Sequence, residues 1–259
     1  MPPIPANALT NPFQQRLRAG ERLCGAWFMS GAPALAEAVG LTGCDYVVLD
    51  LEHSTAGVQD GFGLLQALAG GPAAAVVRMP DQDPAKIKQM LDFGALTLMF
   101  PFVETAAEAA ALARACRYPP AGFRGFARMT RAARWGHDPT YPERANQAVM
   151  AIAQLETPRA IANAAEIGAV EGVDALFVGP GDLSAALGLI GQTGHERVRT
   201  LLGEAAQAAR GLGKPIGTVM GSVEDARWAF EAGYSYVSVS SDIGMLLGAY
   251  RAAFERLRT

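Results

Sequence analysis

The chain has 259 residues, half of them hydrophobic and 18% charged, with a net charge of −3. That length suits one barrel or doubly wound domain better than two small ones. With no basic excess and no run of like charge, the chain offers no electrostatic footprint for nucleic acid and no acidic tail.

Met1–Thr10 has neither a basic n-region nor an apolar h-region, and later apolar runs are short and interrupted. No leader and no membrane span is expected, and the cytoplasm is the expected compartment. Cys24, Cys44 and Cys116 are odd in number and far apart. That fits reduced, buried thiols rather than a disulfide framework or a zinc site.

From the N-terminus onward, short apolar runs alternate with longer Ala- and Leu-rich stretches. Gly25–Phe28 predicts a first strand, and Ala34–Val39, entered through Pro33, a first helix. Tyr46–Asp50 and Ala74–Arg78 predict two further strands. Asp83 and Pro84 form an N-cap and a first-turn proline for the next helix. A strand at Thr97–Phe100 and a helix over Thr105–Cys116 follow.

Residues 118–147 break the rhythm, being rich in Pro, Gly and Arg. Such a stretch in a compact domain is usually a functional loop or an interface element. The alternation then resumes with strands at Met150–Gln154, Ala175–Val178, Ile216–Val219 and Tyr236–Ser240. Helices are expected over Pro158–Ile167, His195–Leu212 and Glu224–Glu231. Gly40, Gly94, Gly168, Gly213 and Gly233 stand where helices should stop. The strands are continuous apolar runs, as in parallel strands covered on both faces. Eight units over this length predict a single (β/α)8 TIM barrel covering residues 1–259. Gly248–Arg258 reads as a closing amphipathic helix that packs on its own barrel or on a neighbouring subunit.

In such a barrel, chemistry collects at the C-terminal ends of the strands. The second strand ends in Asp50, Glu52 and His53. The third ends in Arg78, whose buried base suits capture of a carboxylate or keto oxygen. After the fifth strand, alternation places Gln154 and Glu156 on one side, facing the barrel mouth. Asp182 follows the sixth strand, about one βα repeat further on. Two carboxylates on adjacent strand ends repel each other or share a cation, and Mg²⁺ or Mn²⁺ is the usual partner of such a pair. The bland reading is a helix cap for Asp182 and a salt bridge for Glu156. Gly179-Pro180-Gly181 presents backbone amides to an anion.

The basic residues are three lysines and nineteen arginines. Lys86 and Lys88 fall in a helix, and Lys214 precedes the seventh strand, at the opposite end. None is placed to form an imine, so aldol chemistry here would need a metal as electron sink.

At this point the residues resemble the HpcH/HpaI aldolases, class II pyruvate aldolases that include 4-hydroxy-2-oxoheptanedioate aldolase and 2-keto-3-deoxy sugar acid aldolases. The resemblance is carried by Asp45–His53, Val76–Arg78, Lys86–Gly94, Arg117–Gly125, Gln154–Thr157 and Gly172–Ser184. It extends from about residue 12 to the end. It implies that Glu156 and Asp182 hold the metal and that Arg78 stabilises an enolate. Backbone amides around Gly181 and Asp182 would hold the pyruvate carboxylate. His53 would assist proton transfer, with Asp92 orienting it, and Gln154 and Asp50 would be near neighbours.

Mg²⁺ or Mn²⁺ is the expected cofactor, with Co²⁺ or Zn²⁺ as further members of the set. The resemblance also implies a homohexamer, a dimer of trimers with a terminal helix exchanged between subunits. One departure lies at Phe126–Trp135, where relatives usually carry a Gly-containing stretch. In them the loop approaches the aldehyde from a neighbouring subunit, and Arg131 aligns with an arginine there. Acceptor specificity is therefore not carried over.

Four rivals stay open. Oxaloacetate decarboxylation would use the same enolate site, and product analysis would separate it. A CoA-ester lyase would need a basic groove, for which residues 124–134 are the candidate. A phosphate-binding isomerase would use Gly179–Gly181 and would ignore a chelator. A non-catalytic binding barrel would not gather so many polar groups at strand ends.

Overall fold

The computed structural model describes residues 9–258. Residues 1–8, which make up most of the stretch searched for a leader, lie outside them. The strands are Leu23–Phe28 (β1), Tyr46–Asp50 (β2), Ala74–Arg78 (β3), Thr97–Phe100 (β4), Met150–Leu155 (β5), Ala175–Val178 (β6), Ile216–Met220 (β7) and Tyr236–Ser241 (β8). They are parallel, pair in chain order and close into a barrel through β8 and β1. The fold is the expected (β/α)8 barrel.

Burial on both faces explains why the strands read as unbroken apolar runs. On β2, Val47 and Leu49 pack outward against helices, while Tyr46 and Val48 fill the interior. Alternation therefore points Asp50 inward at the strand's end. The same parity carries Val76 to Arg78 on β3 and Ile152 to Gln154 on β5. Each of these polar side chains is thus the last step of a row of interior apolar ones.

The foot of the barrel is closed by Pro12–Arg18 (α1), which the apolar pattern does not predict. Asn11 caps it by accepting from Gln14 N at 3.1 Å and donates to Thr97 Oγ1 at 2.9 Å. Phe13 then enters the interior against Tyr46 and Tyr236, with ring centroids 4.9 and 5.3 Å away.

Around the barrel run Pro33–Gly40 (α2), Val58–Leu68 (α3), Pro84–Asp92 (α4), Ala106–Ala115 (α5) and Tyr141–Ala148 (α6). They are followed by Pro158–Ala162 (α7), Ala164–Ala169 (α8), Pro180–Ala186 (α9), Glu196–Gly211 (α10) and Val223–Ala232 (α11). Asp83 and Thr105 cap α4 and α5 through their side chains.

Four expectations are corrected. The helix expected over Pro158–Ile167 is two short helices, divided at Asn163. Residues 118–147 are not simply a loop: they contain most of α6, and Tyr118, Ala133, Tyr141 and Ala145 bury one another. The C-terminal helix (α12) starts at Asp242, directly after β8, and runs to Arg258 with no buried residue. Of the thiols, only Cys116 is buried; Cys44 is half-buried and Cys24, at the foot of β1, is exposed. No described helix is long and apolar enough to cross a membrane.

Candidate active site

A cavity of about 380 Å³ opens at the C-terminal ends of the strands. His53, Arg78, Gln154, Glu156, Gly181 and Asp182 all line it. The barrel thus gathers residues that lie more than a hundred positions apart. No lysine lines this cavity. A larger one, about 850 Å³, lies at the foot among Arg18, Arg114 and Arg117. There Asp174 already pairs with Arg117 at 3.2 Å, and strand-end chemistry does not reach that face.

Arg78 is the most constrained side chain of the site. Its Nε and Nη2 donate to the two oxygens of Asp50, at 3.0 and 2.5 Å. Nη1 stands 2.9 Å from Glu52 Oε2. The guanidinium carbon lies 4.8 Å from the ring centroid of Trp27. Asp50 is itself fixed by Trp27 Nε1 at 3.1 Å and by the backbone N–H groups of Glu52 and His53. Burial pushes the Asp50 carboxyl up. Its bonds to Arg78 and the other donors outweigh this and hold it below its ordinary value. Asp50 does not line the cavity; it acts through Arg78 and the turn carrying His53.

Glu156 is 1% exposed. Its Oε1 accepts from Gln154 Nε2 at 2.5 Å and its Oε2 from Phe102 N at 3.0 Å. Phe102 turns its N–H there from a left-handed φ of 52°. Burial pushes the Glu156 carboxyl up to about 7, against the Phe102 N–H, and Asp182 and Glu52 add to the rise. Gly179 leaves room for this arrangement, since a Cβ there would lie 2.5 Å from Glu156 Oε1. Asp182 sits half-buried in the first turn of α9.

Gln154 Oε1 is a buried acceptor without a hydrogen-bond partner among the described residues. Two neighbouring carboxylates beside this orphaned acceptor fit a divalent cation, with water and substrate oxygens completing its shell. No third His, Cys, Asp or Glu joins Glu156 and Asp182 in a ligand cluster among the described residues.

His53 is exposed at the cavity rim, and its ring makes no hydrogen bond among the described residues. Asp92 does not orient it within the protomer. Asp92 ends α4 and accepts from Arg124 Nη2 at 2.7 Å. Arg131 likewise misses the cavity, donating to Phe93 O at 2.7 Å. Both stand at the foot, because a barrel helix runs back from the mouth. They are neighbours there, with Ala132 N bonded to Asp92 O at 3.1 Å.

Trp27 belongs to the site although the sequence did not point to it, and Glu52, named there only as a strand-end acid without a role, joins the site through Arg78. Trp27 lies inside an apolar run and reads as core. Glu52 shares the parity of Asp50, which was the available signal.

A sequence profile for "HpcH/HpaI aldolase/citrate lyase" matches residues 23–249. The chain is 42% identical to a 2-dehydro-3,6-dideoxy-6-sulfogluconate aldolase of Pseudomonas putida, over 86% of this chain and 88% of the relative. It is also 42% identical to a hydroxypyruvate/pyruvate aldolase of Delftia acidovorans, over 93% of each. A crystal structure of an HpcH/HpaI aldolase/citrate lyase family protein from Burkholderia cenocepacia superposes with a TM-score of 0.94 at 40% identity. That match covers 96% of this chain and all of the other.

Proposed function

The chain belongs to the HpcH/HpaI aldolase/citrate lyase family and is a carbon–carbon lyase. From that premise we propose that it is a divalent-cation-dependent class II aldolase, joining pyruvate or hydroxypyruvate reversibly to an aldehyde. The observation that carries the reading is the rigidly held Arg78 guanidinium, in one cavity with the acidic pair Glu156 and Asp182 and without a lysine.

Glu156 and Asp182 would hold the cation, and an oxygen-only donor set favours Mg²⁺ or Mn²⁺. When bound, it would polarise the keto oxygen of the donor. Arg78 presents its remaining N–H groups to the same oxygen as negative charge develops there. Its anchors are already in place, so little reorganisation is needed at that moment. Backbone amides around Gly181 and Asp182 take the donor carboxylate. In cleavage, His53 accepts the proton of the C4 hydroxyl as C3–C4 breaks and the aldehyde departs. The electron pair passes to the enolate, and protonation at C3 yields pyruvate. Synthesis runs the same steps backwards.

The working form in this proposal is a homohexamer, a dimer of trimers. Support comes from the bare apolar stripe of α12 and from Asp92 and Arg131 standing together at the foot.

The test is C3 proton exchange of pyruvate in D₂O, followed by NMR with Mg²⁺ and then EDTA. Exchange that needs the cation and stops with chelator is expected. No exchange of pyruvate, hydroxypyruvate or oxaloacetate with any divalent cation would overturn the proposal.

A further inference from the structure

The cavity has two unlike sides. Arg78, His53, Glu156 and Asp182, on the segments from β2 to α9, are all of its acidic and basic side chains. The part built by β7, β8 and the loop before α10 is neutral and bears hydroxyls, from Thr193, Ser240 and Ser241. A keto acid and a cation use the first side. The second faces whatever reacts with them, and it offers hydrogen bonds but no cation.

β8 reaches that wall through a bulge. Its pairing with β1 runs from Gly25–Ser238 to Trp27–Ser241, so β8 takes up one extra residue. Ser240 absorbs it at a φ of 56°. Glycine fits such a left-handed bulge position with least strain, whereas serine bears the strain and brings a hydroxyl. Bulges beside active sites re-aim a side chain, and strained residues persist where surrounding structure holds them.

The hydroxyls of Ser240 and Ser241 converge over Gly244. A Cβ on that glycine would lie 2.9 Å from the first oxygen and 3.2 Å from the second. Ser241 Oγ accepts from Gly244 N at 3.0 Å, but Ser240 Oγ has no hydrogen-bond partner among the described residues. It is half-buried on the cavity wall, free to bond a ligand.

We propose that Ser240, aimed by the β8 bulge, is the specificity-determining residue of the acceptor side and hydrogen-bonds a hydroxyl of the incoming aldehyde. The acceptor class is then a short hydroxyaldehyde, such as glycolaldehyde or glyceraldehyde, rather than an alkyl aldehyde. This rests on the aldolase reading above.

The test compares Ser240→Gly, a substitution suited to the backbone at that position, with the parent enzyme. With pyruvate as donor, kcat/KM is measured for glycolaldehyde and for propanal, which replaces the hydroxyl by a methyl. Losing one hydrogen bond should lower the glycolaldehyde value about 3- to 10-fold. Propanal turnover, pyruvate C3 exchange and the melting temperature should not fall. Gly244→Ala, which crowds both hydroxyls without touching the charged side, should shift the ratio in the same direction.

Equal losses for both aldehydes, or no loss for either, would overturn the subsite. So would a loss that follows hydroxypyruvate as donor whatever the aldehyde, since the bond would then be to the donor. Absence of pyruvate exchange in the parent enzyme would instead overturn the aldolase reading itself.

Discussion

Arg78 can act as an oxyanion donor only because its other directions are occupied. Asp50 takes two of its N–H groups, Glu52 sits against a third nitrogen, and Trp27 covers one face. Replacing Asp50 by Asn keeps the shape and removes the charge. Breaking a buried ion pair costs about 3–5 kcal/mol, and Glu52, 2.9 Å from Nη1, is then the remaining carboxylate on the guanidinium. Urea unfolding of Asp50→Asn should show a loss of that size, and kcat should fall about 100-fold as the oxyanion donor loosens. Stability and kcat both equal to the parent's would mean that Asp50 does not position Arg78.

Glu156 gives a second test, with a sign fixed by its environment. In the metal-free protein its carboxyl is raised from 4.5 to about 7, by burial first and then by Asp182 and Glu52. The folded state therefore prefers the protonated form. The associated stability is full below about pH 4.5 and is lost as pH rises through about 7. At 1.36 kcal/mol per pKa unit the loss is about 3 kcal/mol. Chelator-treated parent protein should lose stability relative to Glu156→Gln between pH 5 and pH 7.5, and the variant should be the more stable at the upper end. Parallel curves for the two proteins would remove Glu156 as the titrating group.

At the scale of elements, burial decided what was legible. Strands packed on both faces show as apolar runs, and their parity leads directly to Asp50, Arg78, Gln154 and Glu156. α6 is polar, α1 has only seven residues and α3 contains two glycines. Their helical signal is weak, and tertiary packing completes them. Asp92 was named through the family motif, yet it ends a helix, and barrel topology alone sends that end to the foot. The β8 bulge has no sequence signature, because serine rather than glycine occupies it.

The turn from β6 into α9 is the element on which the acidic pair depends. Gly179 passes so close to Glu156 that a methyl group would meet Oε1 at 2.5 Å and Gln154 Nε2 at 3.1 Å. Its φ is −91°, so alanine is allowed by the backbone, and the side chains of Glu156 and Gln154 must shift. Gly179→Ala should fold normally while weakening divalent-cation affinity about 10- to 100-fold, as expected when a ligand's support is disturbed. Titration calorimetry with Mn²⁺ reads this. Unchanged affinity would separate Glu156 from the cation.

At the scale of the molecule, one protomer presents both an excess and a shortage. The excess is α12, on which Ile243, Leu247, Tyr250, Phe254 and Leu257 recur at alternating steps of four and three, each at least 38% exposed. That spacing is the seam of a helix packed on another helix. The shortage is at His53, whose ring lacks an orienting partner among the described residues, while Asp92 stands at the opposite end of the barrel beside the Arg131 loop. A multimer that brings the foot of one barrel to the mouth of another would resolve both. Light scattering should then give a multiple of 27.2 kDa, and Leu247→Asp with Phe254→Asp should lower it. Complementation is the sharper measurement. His53→Ala and Asp92→Asn should each be nearly inactive alone, because each lacks one member of every composite site. Subunits unfolded together and refolded as a mixture should regain part of the activity, since some sites then pair an intact His53 with an intact Asp92 from different chains. If the mixture stays as inactive as its components while the mass remains oligomeric, Asp92 serves its own protomer or none.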